Sequence, residues 1–148
     1  MPLNSDQVYF DDIHEGEEIP ALRKACTTQQ LVMWAGASGD FYQIHYDPDF
    51  ARVTGLDGII VHGELKNAFL GQLLHDWVAP GGFVRRFGCQ YRGMDYPNQD
   101  ILCRGVVTRK YEEDGRALVD LDVWTENAGG KKTTPGTATV LLPRREAP

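Results

Sequence analysis

Hydrophobic positions change period along the 148-residue chain, and the changes divide it into a helical first half and a stranded second half. After a lead-in with a short strand expected around Gln7–Phe10, residues 21–27 (ALRKACT) read as a second strand. Thr27 then stands three residues before Gln30, a capping-box spacing. Leu31, Val32, Trp34 and Ala35 follow at helical intervals, with a stop expected at about Gly36. A second helix start lies at Asp47–Pro48, an N-cap residue followed by proline at the first helical position, with Gly55 as its stop. The apolar run LDGIIV leads to a longer helix from Gly63. Its stripe of Leu65, Ala68, Phe69, Leu70, Leu73, Leu74, Trp77 and Val78 is broad enough to predict burial on most sides. Pro80, Gly81 and Gly82 end it.

Beyond Gly82 the period falls to two. Phe83, Phe87, Cys89 and Tyr91 alternate with polar neighbours, Ile101 to Tyr111 is rich in β-branched residues, and Ala117, Val119, Leu121 and Val123 alternate against Arg116, Asp120 and Asp122. Asp114–Gly115 between the last two runs is a hairpin signal. ENAGGKK is a further turn, before a last strand through Ala138, Val140 and Leu142. Strands segregated from helices indicate an α+β fold in which an antiparallel sheet of four or five strands wraps one apolar helix. No repeat or linker interrupts the chain, so one domain over residues 1–148 is expected.

Composition adds bounds. Apolar residues at 42% and charged residues at 24% are ordinary for a soluble globular chain, and the length suffices for one core. A formal net charge of −6 argues against a nucleic-acid or anionic-membrane partner, because like charges repel. Cys26, Cys89 and Cys103 are odd in number and lack metal-ligand spacing, so they read as reduced structural thiols in a cytoplasmic protein. MPLNSDQVYF lacks the basic and apolar regions of a signal peptide, and no run approaches the roughly 20 apolar residues of a membrane span.

The stretch GDFYQIHYDPDF, residues 39–50, carries the candidate chemistry. Residues five apart stand about 140° apart on a helix and on opposite faces of a strand. Asp40 and His45 can therefore meet only across an irregular turn. An acid brought against an imidazole in this way is a common general base. The alternative is a turn aspartate beside a satisfied histidine. His62 is read as structural, its ring fixed against the helix start, with a second base or a metal ligand as lesser readings. No metal or cofactor is expected. His14 and His75 read as surface residues.

Three features then stand together: the Asp40–His45 turn, the Asp47–Pro48 cap, and GIIVHGELKNAFLGQLLHDW after it. This combination resembles the MaoC-like, or (R)-specific, enoyl-thioester hydratases of the hot-dog fold. Their pattern runs roughly G-D-x-N-P-[IV]-H-x-[DN], a small helix, a glycine turn, H-G and the central helix. Here residues 39–69 read GDFYQIHYDPDFARVTGLDGIIVHGELKNAF. The resemblance implies a hot-dog fold over nearly the whole chain. It implies that Asp40 and His45 activate a water that adds to a trans-2-enoyl thioester, or leaves an (R)-3-hydroxyacyl thioester in reverse. The amide of Gly63, at the helix start, would hold the carbonyl, and the missing side chain would let it approach. Tyr42, Gln43, Ile59, Val61 and His62 complete the expected substrate-facing set. The substrate is an acyl-CoA, coenzyme A being part of it, and the partner a second hot-dog subunit in a homodimer or heterodimer.

Tyr42–Gln43 replaces the family's Asn-Pro. Without proline's fixed φ the turn must be held by packing, and the change points to an unusual, bulkier acyl group. Two rivals follow. One is a non-catalytic or co-catalytic subunit of a heteromeric hydratase of the mycolate-precursor or steroid side-chain type. The other is a hot-dog thioesterase, for which Glu64 is the only acid near the helix start. Arg85, Arg86, Arg92, Lys131 and Lys132 read as solvated charges, a subset of them available to the phosphates of coenzyme A.

Overall fold

In the computed structural model, residues 7–145 are described, so the start of the MPLNSDQVYF lead-in lies outside the described residues. In chain order they form a 3₁₀ turn at Phe10–Asp12, β1 (Leu22–Ala25), α1 (Thr28–Ser38), a 3₁₀ turn at Gln43–His45, α2 (Pro48–Val53), α3 (Gly63–Val78), β2 (Phe83–Cys89), β3 (Asp100–Glu113), β4 (Arg116–Glu126) and β5 (Lys132–Leu141). The strands make one antiparallel sheet in the order β1-β3-β4-β5-β2. Among the described residues, no helix is long and apolar enough to cross a membrane.

The sheet wraps α3. Leu65, Phe69, Leu70, Leu73, Leu74, Trp77 and Val78 of α3 are buried together with Ile101, Cys103 and Val107 of β3, Val119, Leu121 and Val123 of β4, and Ala138 and Val140 of β5. Each such side chain contributes about 1.5–3 kcal/mol when fully removed from water, so this one interface dominates the stability of the fold. The β3–β4 turn follows its chemistry: Asp114 at φ 51° and Gly115 at φ 73° adopt the two left-handed positions of a tight hairpin. Cys26 and Cys103 are fully buried, and burial pushes their thiols up to about 11 and about 12. They are free thiols, as is the half-buried Cys89.

Several expectations are corrected. Gln7–Phe10 forms no strand. Its one link of the ladder kind is Phe10 N–H to the Pro143 carbonyl at 2.9 Å, and the chain then turns through Asp11 and Asp12. The first helix runs past Gly36 to Ser38 and ends on Gly39, which takes the left-handed C-cap at φ 80°. Val32, expected on its apolar face, is 57% exposed. In β2, a register irregularity between Val84 and Arg86 inserts one residue, which reverses the alternation. Val84, Phe87 and Cys89 consequently face the core and Phe83 is 66% exposed. On α3, Ala68 is exposed and the buried position in that turn is Lys66.

Lys66 is the anomaly of the core. Its ammonium donates to the Gly93 carbonyl at 2.9 Å and to Asp95 Oδ2 at 2.8 Å, with the two side chains 2% and 1% exposed. The Asp95 carbonyl in turn accepts from Val61 N–H at 2.8 Å. One buried pair therefore ties the segment after β2 to α3 and to the strand-like run that leads into α3. Removing one partner of such a pair strands a buried charge, whereas removing both does not. Lys66→Met is expected to lower unfolding stability by about 3–5 kcal/mol, and Lys66→Met with Asp95→Leu by much less, measured by urea denaturation.

Candidate active site

The turn between α1 and α2 is built from hydrogen bonds. The Ser38 hydroxyl accepts from Asp40 N–H at 3.2 Å, and Asp40 Oδ1 accepts from Tyr42 N–H at 3.2 Å. Gln43–His45 then closes as a 3₁₀ turn, with Asp47 N–H on the Gln43 carbonyl at 2.8 Å and Ile60 N–H on the Ile44 carbonyl at 3.1 Å. The turn that lacks the family's proline is thus held by backbone hydrogen bonds as well as by packing, which corrects the expectation. Asp47 caps α2 by accepting from the Asp49 and Phe50 N–H groups, each at 3.0 Å.

This scaffold brings Asp40 and His45 together. Oδ2 of Asp40 lies 3.7 Å from Nε2 of His45, with the imidazole buried and the carboxylate 37% exposed. Nδ1 of His45 is 2.8 Å from the Ile60 carbonyl. A carbonyl only accepts, so Nδ1 carries the hydrogen and Nε2, in the neutral ring, presents its lone pair toward Asp40. The 3.7 Å gap is too long for a direct hydrogen bond and suits one oxygen held by both groups. Ile60 was not among the expected residues. It acts through its backbone, and no side-chain signal could have found it.

His62 lies against the pair. It is fully buried, its ring is stacked on His45 with centroids 3.8 Å apart and planes at 19°, and its Nε2–H donates to the Asp40 carbonyl at 3.2 Å. Among the described residues, Nδ1 of His62 has no partner. Burial first, and the neighbouring His45 second, hold His62 below the ordinary histidine range of 6.5. Asp40, His45 and His62 place one donor atom each within 4.8 Å of one another. Imidazoles ligate in their ring planes at about 2.0–2.1 Å, and two nearly parallel planes at this separation do not converge on one ion. The stack does not fit a metal.

The remaining expected residues are near but differ in setting. Tyr42 is 54% exposed and stands edge-on to His45 at 6.4 Å and to Phe50 at 6.0 Å. Gln43 is exposed at the start of its turn; Ile59 is partly buried against the core and Val61 fully buried. Gly63 begins α3 directly after His62, and no side chain caps that end. Its first N–H groups are thus open and carry the positive end of the helix dipole. The space beside Gly63 is not empty: a Cβ there would meet the Tyr91 ring at 2.7 Å. Tyr91, half-exposed and unanticipated at this site, explains the glycine by packing. An open groove of about 590 Å³ across β2, β4 and β5 contains none of these residues. Of the cations considered for phosphate, Arg85 pairs with Glu113 at 3.2 Å and Lys132 sits over the Trp124 ring.

A family model for the MaoC-like domain matches residues 13–128. The chain belongs to the MaoC-like domain family. Over 142 residues this MaoC-like chain is 28% identical to the (R)-specific enoyl-CoA hydratase of Rhodospirillum rubrum, covering 93% of each. It is also 36% identical over 78 residues to the fatty acid synthase beta subunit TOXC of Cochliobolus carbonum, which spans 51% of the chain but 4% of that protein. Among solved structures, the (R)-hydratase from A. caviae superposes with a TM-score of 0.79 at 23% identity, covering 89% of this chain and 98% of that one. The ChsH1–ChsH2 complex from Mycobacterium tuberculosis gives 0.74 at 23% identity, covering 87% and 98%. The fold of this MaoC-like chain is the α+β hot-dog fold, as its resemblance to the family implied.

The depressed His62 has a consequence for stability. The unfolded chain takes up a proton near pH 6.5 while the folded ring resists it, so stability is full above that pH and is lost as pH falls from there through the lower folded value. The melting temperature is expected to drop between about pH 7.5 and about pH 5.5, and His62→Phe to shrink that drop, measured by scanning calorimetry.

Proposed function

We propose that the chain hydrates a trans-2-enoyl thioester, as an acyl-CoA, to an (R)-3-hydroxyacyl thioester, or runs the reverse dehydration. The carrying observation is the Asp40–His45 pair, 3.7 Å apart, with Nδ1 anchored on Ile60 so that Nε2 is the basic atom. A water held between Asp40 Oδ2 and His45 Nε2 gives its proton to Nε2 as its oxygen bonds to the β-carbon. The alkene electrons move to the thioester oxygen, where the open N–H of Gly63 receives the enolate charge. The imidazolium, with Asp40 sharing the proton, then protonates the α-carbon, and both groups return to their starting states. Every step is proton transfer and addition, so the chemistry calls for no cofactor beyond the coenzyme A of the substrate. Tyr42, Gln43, Ile59, Val61 and His62 would border the acyl group, with the half-exposed Tyr91 beside Gly63.

The same proposal takes residues 1–148 as one domain, places it in the cytoplasm with its thiols reduced, and pairs it with a second hot-dog subunit. Among the described residues, β2 ends the sheet with one edge unpaired, and pairing there would cover the exposed Phe83. Likeness to the ChsH1–ChsH2 complex, together with Tyr42–Gln43, favours one second reading: a subunit of a heteromeric hydratase.

Purified protein mixed with a short and a bulky 2-enoyl-CoA should deplete the conjugated thioester absorbance. Asp40→Asn and His45→Gln should each slow it by about 10²-fold or more. Release of free thiol without hydration would replace this function with a thioesterase. Inactivity relieved by a co-expressed hot-dog partner would establish the heteromeric reading.

A further inference from the structure

His62 contacts neither the water nor the carbonyl in the hydration proposed above, yet it touches both groups that do the proton work. Its face lies on His45, its Nε2–H holds the Asp40 carbonyl, and its backbone forms the N-cap of α3 directly before Gly63. Resting on that hydratase reading, we propose that His62 is a positioning residue that clamps His45 through its ring face and Asp40 through its backbone, and so sets the spacing of acid and base.

The geometry explains why the clamp stays neutral. With Nε2–H committed to a carbonyl, a proton on Nδ1 would be a buried donor without an acceptor. It would also add a positive charge 3.8 Å from the imidazole that gains one during the reaction. The charged or titratable groups that act on His62 are His45, which opposes its protonation, and Asp40 and Glu64, which favour it. Burial and His45 prevail over the two acids because Glu64 is exposed and the Asp40 carboxylate half-open to water. A neutral ring face, by contrast, is attractive to the imidazolium that His45 becomes. Simple core filling would need a ring of this size but neither the donor nor the bare Nδ1.

Two substitutions separate the contacts: His62→Phe keeps a ring and loses the donor, and His62→Gln keeps a donor and loses the face. Each is expected to lower kcat on an enoyl-CoA by roughly tenfold or more while KM stays within about threefold, since displaced catalytic groups cost turnover rather than affinity. Nitrogen-15 NMR of the free protein supplies a readout independent of any substrate. His62 should appear as the neutral Nε2–H tautomer at neutral pH and His45 as the Nδ1–H tautomer, and His62→Gln should leave His45 in mixed tautomers. Wild-type kcat in both variants, or His62 appearing as the Nδ1–H tautomer, overturns the proposal. If the variants do not fold, the wild-type spectrum still decides. If wild type consumes no enoyl thioester while the spectrum is as expected, hydration fails and the clamp stands.

Discussion

The fold depends on keeping the apolar stripe of one helix, α3, away from water. Seven large apolar side chains of α3 are buried, and the sheet that covers them determines where each end of α3 lies. The helix start is consequently immobilised, and with it His62 and Gly63. The run before it, residues 59–62, is held from two directions: Ile60 N–H bonds to Ile44 and Val61 N–H to Asp95. The candidate site is therefore a product of core packing, although most of its side chains lie in irregular segments between α1 and α3.

The same burial sets the electrostatics. An imidazole inside this shell must spend its donor on something, and each ring spends one on a backbone carbonyl, Ile60 for His45 and Asp40 for His62. That assignment leaves one basic nitrogen on each ring. On His45 the bare nitrogen faces a carboxylate 3.7 Å away; on His62 it meets nothing among the described residues. Two chemically identical side chains with centroids 3.8 Å apart are thereby given different surroundings for their bare nitrogens. The buried Lys66–Asp95 pair follows the same logic, with a charge tolerated inside only because its partner and a carbonyl are already in place.

Much of this was legible in the residue pattern because it rests on local rules. The helix cap at Asp47–Pro48, the hairpin at Asp114–Gly115 and the broad stripe of α3 each depend on a few neighbouring residues. The meeting of Asp40 with His45 followed from excluding regular structure between them. What stayed hidden depends on distant partners. Nothing beside Lys66 in the sequence marks it as buried, and its acid lies 29 residues away. Phe83 points outward because of one extra residue in β2, which alternation alone does not reveal. Gly63 was read as making room for a ligand, and its neighbour is the ring of Tyr91.

The contacts of Ile60 and Gly93 are made by carbonyl oxygens, which every amino acid possesses. The partly buried Ile60 side chain is free to change without disturbing the imidazole, whereas a side chain at Gly93 would meet Thr133 at 2.9 Å. The position of Ile60 can vary while its duty is preserved, and an alanine scan would pass over it. The molecule keeps part of its machinery in the one component of a protein that substitution cannot remove.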